Sequence, residues 1–256
     1  MSSDEPRTAP RTAIVTGGAR RIGAAMCRAL AADGWHLLIH CHHSIADARA
    51  LAAELGNSKI VAADLARPDA AEMTIAALDG MPAAALLVNN ASRFVYDSAD
   101  TFDADGWDAH LDTNLRAPAL LSRAFAGQAV DGALIVNLLD AKLASPNPDF
   151  FSYTVAKLAL GGLTELLARA WAGRGIRVCA IAPSVTLVSG AQSRDNFAKV
   201  HALNPLRRGV AVEEVVAALR FIIATPTLTG QTIVLDGGQR FLGLPRDVQF
   251  LEPDHE

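Results

Sequence analysis

Short runs of β-branched and aliphatic residues alternate along the chain with longer Ala- and Leu-rich stretches of helical period. Ala13-Ile14-Val15 precedes a helical pattern from Ala24 to Ala32, Leu37-Leu38-Ile39 one from Ala46 to Leu55, and Ile60-Val61 one from Ala70 to Leu78. Ala85 to Val88 then leads into a helix around Trp107 to Phe125, Ala133 to Leu138 into a helix from Tyr153 to Trp171, and Arg177 to Ile181 follows. Fully apolar strands separated by helices need crossover connections, so the pattern predicts an α/β, doubly wound, mostly parallel sheet with helices on both faces. A strand near Gln231 to Leu235 completes seven. Residues 11–242 read as one domain. Residues 1–10 are polar and read as a flexible start, and residues 184–205 are polar and weakly periodic, which suits a substrate lid. The tail 243–256, with Pro245 and Pro253, reads first as a frayed terminus and alternatively as a subunit contact.

Hydrophobic residues make up 51% of the chain and charged residues 20%, which removes disorder from consideration. A net charge of −4, with Lys and Arg scattered, gives no footprint for nucleic acid. Cys27, Cys41 and Cys179 are far apart and predict no disulfide framework, which suits a reducing cytoplasm. No export signal or membrane span is expected, since the start is polar and no run is apolar for long enough.

After the first strand comes Thr16-Gly17-Gly18-Ala19-Arg20-Arg21-Ile22-Gly23, opening a helix. Glycines at a strand-to-helix turn let the backbone approach a pyrophosphate, whose charge the helix N-terminus meets, so a Rossmann-type dinucleotide site is expected here. The second strand ends His40-Cys41-His42-His43-Ser44, with no carboxylate before Asp47. An NAD ribose wants an acidic residue there; a 2′-phosphate wants its absence and nearby donors, which Arg20 and Arg21 supply. NADPH is therefore expected over NADH. His40, His42 and His43 could also ligate a metal, but His43 points away from the other two on a strand and no obvious fourth ligand joins them, so no metal is expected. Asp64, followed by Leu65 at the end of the third strand, is placed either over an adenine or as the cap of the next helix.

Tyr153 and Lys157, at i and i+4, share one helix face. A tyrosine titrates near pH ~10, and a neighbouring ammonium can stabilise its phenolate enough to make it a proton carrier. Phe150 is placed to line the same pocket, while Trp107 and Trp171 read as helix packing residues.

These motifs, with Asn89-Asn90-Ala91, Asn114, Pro183 and Asp236-Gly237-Gly238, occur in an order that resembles the short-chain dehydrogenase/reductase family over nearly the whole chain. The resemblance implies that Asn90, Ala91, Pro183 and Ser184 border the cofactor, that Asn114 holds a water in a proton relay, that Lys157 bonds the nicotinamide ribose, and that the protein is a homotetramer. Two positions depart from most of the family: Arg21 replaces a glycine and Asp140 replaces a serine. Together with His42-His43-Ser44 and Asn90-Ala91-Ser92-Arg93-Phe94, they are similar to the pteridine reductases and the related dihydromonapterin reductases. That branch implies a pterin stacked on Phe94, held by Ser92 and Arg21, and protonated at nitrogen by Tyr153 with Asp140. Phe94 could instead plug a loop, Ser92 sit in a turn, and Asp140 cap the loop from Lys142 to Asp149. A general carbonyl reductase and a non-catalytic NADPH-binding sensor are the alternative functions.

Overall fold

The computed structural model describes residues 9–188 and 192–251. Residues 1–8 of the expected flexible start, 189–191 of the expected lid and 252–256 of the tail lie outside the described residues. The apolar runs become strands β1 (Thr12–Val15), β2 (His36–Cys41), β3 (Ser58–Ala62), β4 (Ala84–Asn89), β5 (Leu134–Leu138), β6 (Arg177–Pro183) and β7 (Thr232–Leu235). Between them run helices α1 (Arg21–Ala32), α2 (Ile45–Leu55), α3 (Ala70–Ala76), α4 (Ala104–Leu111), α5 (Ala117–Gln128), α6 (Phe151–Trp171), α7 (Arg194–Val200) and α8 (Val212–Ala224). All strand pairs are parallel, in the order β3-β2-β1-β4-β5-β6-β7, so the order reverses between β1 and β4. Open sheets of this kind bind ligands at that switch point, beyond the carboxyl ends of the strands.

The inner strands β1, β2, β4, β5 and β6 are buried on both faces, which is why they read as continuous apolar runs, while the edge strands β3 and β7 stay partly exposed. Val15, Leu37, Ile39, Val88 and Val136 pack with Met26 and Leu30 of α1, Leu51 of α2 and Leu219 of α8. Their sequence neighbours Ile14, Leu38, Leu87 and Ile135 face the other way, onto Leu121 and Phe125 of α5 and Ala168 of α6. At the carboxyl ends the apolar filling gives way to a buried polar rung. Asn89 donates through Nδ2 to Asn137 Oδ1 at 2.8 Å, and Asn137 Nδ2 donates to Thr164 Oγ1 of α6 at 2.9 Å. This rung ties α6 to the sheet two helical turns beyond Lys157.

One expected helix is borne out with an added detail, and one expectation needs correction. The helix expected from Trp107 to Phe125 is α4 and α5 joined by a five-residue π-turn, Asp112–Arg116. The wider turn leaves Asn114 buried, with its side chain bonded to the loop after β4. The tail is not frayed through residue 251. Asp149, itself buried, accepts from Arg246 Nε at 2.8 Å and from the Asp247 amide at 2.7 Å, and Val248 is buried. The segment reads as polar, but the charges of Arg246 and Asp247 are spent on pinning it to the domain.

Candidate active site

The turn after β1 is held on all sides. Thr16 Oγ1 accepts from the amides of Asn90 and Ala91 at 2.9 and 3.0 Å, and Asn90 Nδ2 donates to the carbonyls of Thr16 and Gly17 at 2.8 and 3.2 Å. Gly17 adopts φ +60°, and a Cβ at Gly23 would lie 2.2 Å from the Gly17 carbonyl oxygen. Both glycines are therefore required by the closeness of turn, helix and the β4 loop. Arg20, the N-cap of α1, makes no side-chain cap bond. The first amides of α1 are thus uncapped and carry the positive end of the helix dipole, a cradle that fits a dinucleotide pyrophosphate. Arg21 sits at φ 54°, a left-handed conformation that favours glycine, and its side chain lines the main cavity.

The residues expected around an adenosine phosphate gather at the ends of β2 and β3. His42 and His43 stack on each other with ring centres 3.5 Å apart, and Ser44 stands at the N-cap position of α2 without a side-chain cap bond. Arg20 is paired with Asp47, its Nε 2.8 Å from Oδ2. Asp47 lies one turn beyond the strand end, so linear order hid that it competes for the same guanidinium. Asp64 accepts from the Ala66 amide at 3.0 Å in a tight turn around Leu65; the cap position of α3 belongs to Asp69, not Asp64. His40 turns inward and is buried, apart from the stacked pair.

Arg21, Ile22, Asn90, Ser92, Phe94, Asp140, Tyr153, Pro183 and Ser184 line one cavity of about 540 Å³. Tyr153 donates its hydroxyl proton to Asp140 Oδ2 at 2.9 Å, and the other oxygen of Asp140 accepts from the Lys142 amide at 2.8 Å. Asp140 thus caps its loop and faces the tyrosine at once. Lys157 is buried behind them and donates to the Leu138 carbonyl at 2.7 Å, with its Nζ 5.7 Å from the centre of the Tyr153 ring. Burial lowers the Lys157 pKa to about 8, against a raising pull from Asp140. Tyr153 moves the opposite way from the sequence expectation: burial first, and then the Asp140 carboxylate, push its pKa well above the ordinary value. The reason is proximity. The group bonded to the phenol is an anion, while the cation is a ring's width away, so the free protein holds Tyr153 protonated.

Asn114 Oδ1 accepts from Ser92 Oγ at 3.1 Å and the Arg93 amide at 2.8 Å, and Nδ2 donates to the Arg93 carbonyl at 2.9 Å. Its side chain in the free protein therefore holds the loop that carries Phe94. Phe94 stacks on Phe150 with ring centres 4.0 Å apart and meets Tyr153 edge-on at 4.7 Å. Phe150 itself is at φ 51° and continues the stack to Phe250 of the C-terminal segment at 5.9 Å. Sequence reasoning missed that segment's part in the wall: Leu244, Asp247 and Val248 line the cavity, and Asp247 lies 3.7 Å from Lys142 Nζ. The apolar positions Val248, Phe250 and Leu251 were the signal that this stretch packs.

A family model described as enoyl-(acyl carrier protein) reductase matches residues 17–240. A solved structure of FolM alternative dihydrofolate reductase 1 from Brucella canis, complexed with NADP, superposes with a TM-score of 0.88 at 36% identity, covering 97% of this chain and 98% of that one. Pteridine reductase 1 of Leishmania tarentolae is 32% identical, over 90% of this chain and 96% of its own. A 3-oxoacyl-[acyl-carrier-protein] reductase of Synechocystis is 30% identical, over 89% and 96%. With the switch-point cavity, the pinned glycine turn and the Tyr153 to Lys157 helix face, these matches are those of one family, and the chain belongs to the short-chain dehydrogenases/reductases.

Proposed function

We propose that the chain is an NADPH-dependent reductase of a pterin or dihydropterin. One observation carries the reading: the hydroxyl of Tyr153 is bonded at 2.9 Å to a carboxylate, Asp140, where a carbonyl reductase of this family would use a serine to orient a ketone oxygen. A carboxyl and a phenol side by side suit protonation of a ring nitrogen. The similarity to Leishmania pteridine reductase and to the Brucella enzyme supports the same substrate class.

The uncapped start of α1, Gly17, Gly23, Asn90, Ala91, Pro183 and Ser184 would hold the dinucleotide, with Arg20, His42, His43 and Ser44 at its 2′-phosphate, Asp64 and Leu65 at its adenine, and Lys157 at its nicotinamide ribose. When bound, NADPH supplies a hydride to a ring carbon of the substrate. Tyr153 would give its proton to the adjacent nitrogen, so that a C=N bond becomes CH–NH; the Asp140 carboxylate would hold the hydroxyl in place until then, and a proton from solvent would restore the phenol. Phe94, held by Asn114 and backed by Phe150, offers a flat face for the substrate ring, while Ser92 and Arg21 bond its polar edge. The half-exposed Leu158 and the exposed Leu166 on α6 support assembly of that helix against further copies, as a homotetramer.

The relatives that reduce acyl carrier protein substrates support a second reading, carbonyl reduction. NADPH oxidation followed with dihydropterin, oxidised pterin, folate and 3-oxoacyl or ketone substrates side by side tests the choice. Turnover of a pterin, lost in Asp140→Ser, is expected. Ketone turnover that rises in Asp140→Ser, with pterins ignored, overturns it.

A further inference from the structure

We infer that His40 is a positioning residue that presets the pyrophosphate turn and joins it to the adenine end of the site. The inference rests on the NADPH reading above.

His40 lies on β2, and its side chain is buried beneath the dinucleotide face of the sheet. Its Nδ1 accepts from the Gly17 amide at 3.2 Å, and its own carbonyl accepts from the Gly18 amide at 2.9 Å. Two consecutive amides of the glycine turn are therefore claimed by one residue. An amide N–H can only donate, so Nδ1 is the acceptor and the ring proton is on Nε2, which donates to the Ala63 carbonyl at 3.0 Å. Ala63 directly precedes Asp64 and Leu65, where the adenine is expected. The ring is thus a strut between the two ends of the adenosine diphosphate half of the site.

Two consequences follow from these bonds. The amides of Gly17 and Gly18 are spent, so the charge of a pyrophosphate falls to the uncapped amides that open α1, and the glycines serve close approach alone. The strut also requires a neutral ring, because a proton on Nδ1 would remove the acceptor of the Gly17 amide. Burial, aided by His42, lowers the His40 pKa to about 4, although the Ala63 carbonyl and Asp64 pull it upward. The histidine cluster at the end of β2 therefore divides into a buried strut, His40, and an exposed stacked pair, His42 and His43.

The two bonds can be separated by substitution. Asparagine can place an acceptor near the Nδ1 position, while glutamine reaches toward Ala63 and lacks the acceptor for Gly17. Binding of NADPH by His40→Asn, His40→Gln and His40→Leu, read by fluorescence titration, is compared with kcat at saturating NADPH. His40→Asn and His40→Gln, each keeping one of the two bonds, are expected to weaken Kd about threefold, and His40→Leu, which loses both, roughly tenfold or more, as for loss of a buried acceptor, with kcat nearly unchanged. Parent-like affinity in His40→Leu, equal losses in His40→Asn and His40→Leu, or a fall in kcat alone would overturn the assignment. A second measurement needs no variant. In the 15N-labelled parent protein a through-bond coupling between the Gly17 amide and His40 Nδ1 is expected, with the proton on Nε2, and the opposite tautomer refutes the strut. Should the coupling be present while NADPH fails to bind the parent, the cofactor reading fails and the strut stands.

Discussion

Arg21 is held at φ 54°, and its side chain lines the cavity. Arg21→Gly should therefore move stability and catalysis in opposite directions. A left-handed conformation costs a non-glycine residue about 1–2 kcal/mol, and the added freedom of glycine in the unfolded chain offsets roughly half of that. A net gain of about 0.5–1 kcal/mol corresponds to a rise in Tm of about 1–4 °C for a chain of this size. Removing the guanidinium takes away a charge-assisted hydrogen bond worth about 1.5–3 kcal/mol, a roughly ten- to hundredfold loss in kcat/KM. Differential scanning fluorimetry and steady-state NADPH oxidation read the two effects on one preparation. A higher Tm with lower kcat/KM is the expected result. A lower Tm with unchanged kcat/KM would refute the reasoning, since the arginine would then be a structural residue at no conformational cost.

Tyr153→Phe should abolish turnover while NADPH binds within about threefold of the parent, because the ring packing survives and only the proton donor is lost; appreciable residual turnover would remove Tyr153 from the proton path. The pH profile of kcat/KM for NADPH, which reports the free enzyme, should fall above pH about 8 as Lys157 loses its charge, and not near pH ~10 where an ordinary phenol titrates; a profile flat to pH ~10 contradicts this. His40 gives a sign for stability: its folded pKa, about 4, lies below the ordinary 6.5, so below pH 6.5 the unfolded chain takes up a proton that the folded one refuses. Its contribution is complete above pH 6.5 and is lost as pH falls to about 4, at most about 3 kcal/mol, and urea unfolding of the parent and His40→Asn at pH 7 and 4.5 should show the difference shrinking.

The sheet was legible because parallel strands buried on both faces leave continuous apolar runs, as at Leu37-Leu38-Ile39. The cavity was legible where chemistry sits at fixed spacing on one element: Tyr153 and Lys157 on α6, and Asp140 just beyond β5. What escaped depends on residues that meet only in space. Asp47 reaches Arg20 across the β2 to α2 turn, and Asp247 reaches Lys142 from a segment about a hundred residues later. The sign of the Tyr153 shift escaped for the same reason, since it turns on which charge is in contact and which is a ring's width off. His40 was visible as a histidine, but its task depends on its inward facing toward Gly17 and Ala63.

The pterin reading is tested most directly by following the hydride itself. NADPH deuterated at the transferable C4 position is incubated with the protein and a dihydropterin, and the products are separated and weighed by mass spectrometry. One deuterium on a ring carbon of a tetrahydropterin, absent with Tyr153→Phe, is the result expected. An unlabelled, unreduced pterin alongside a deuterium-labelled alcohol from a 3-oxoacyl or ketone substrate in the same mixture would contradict it.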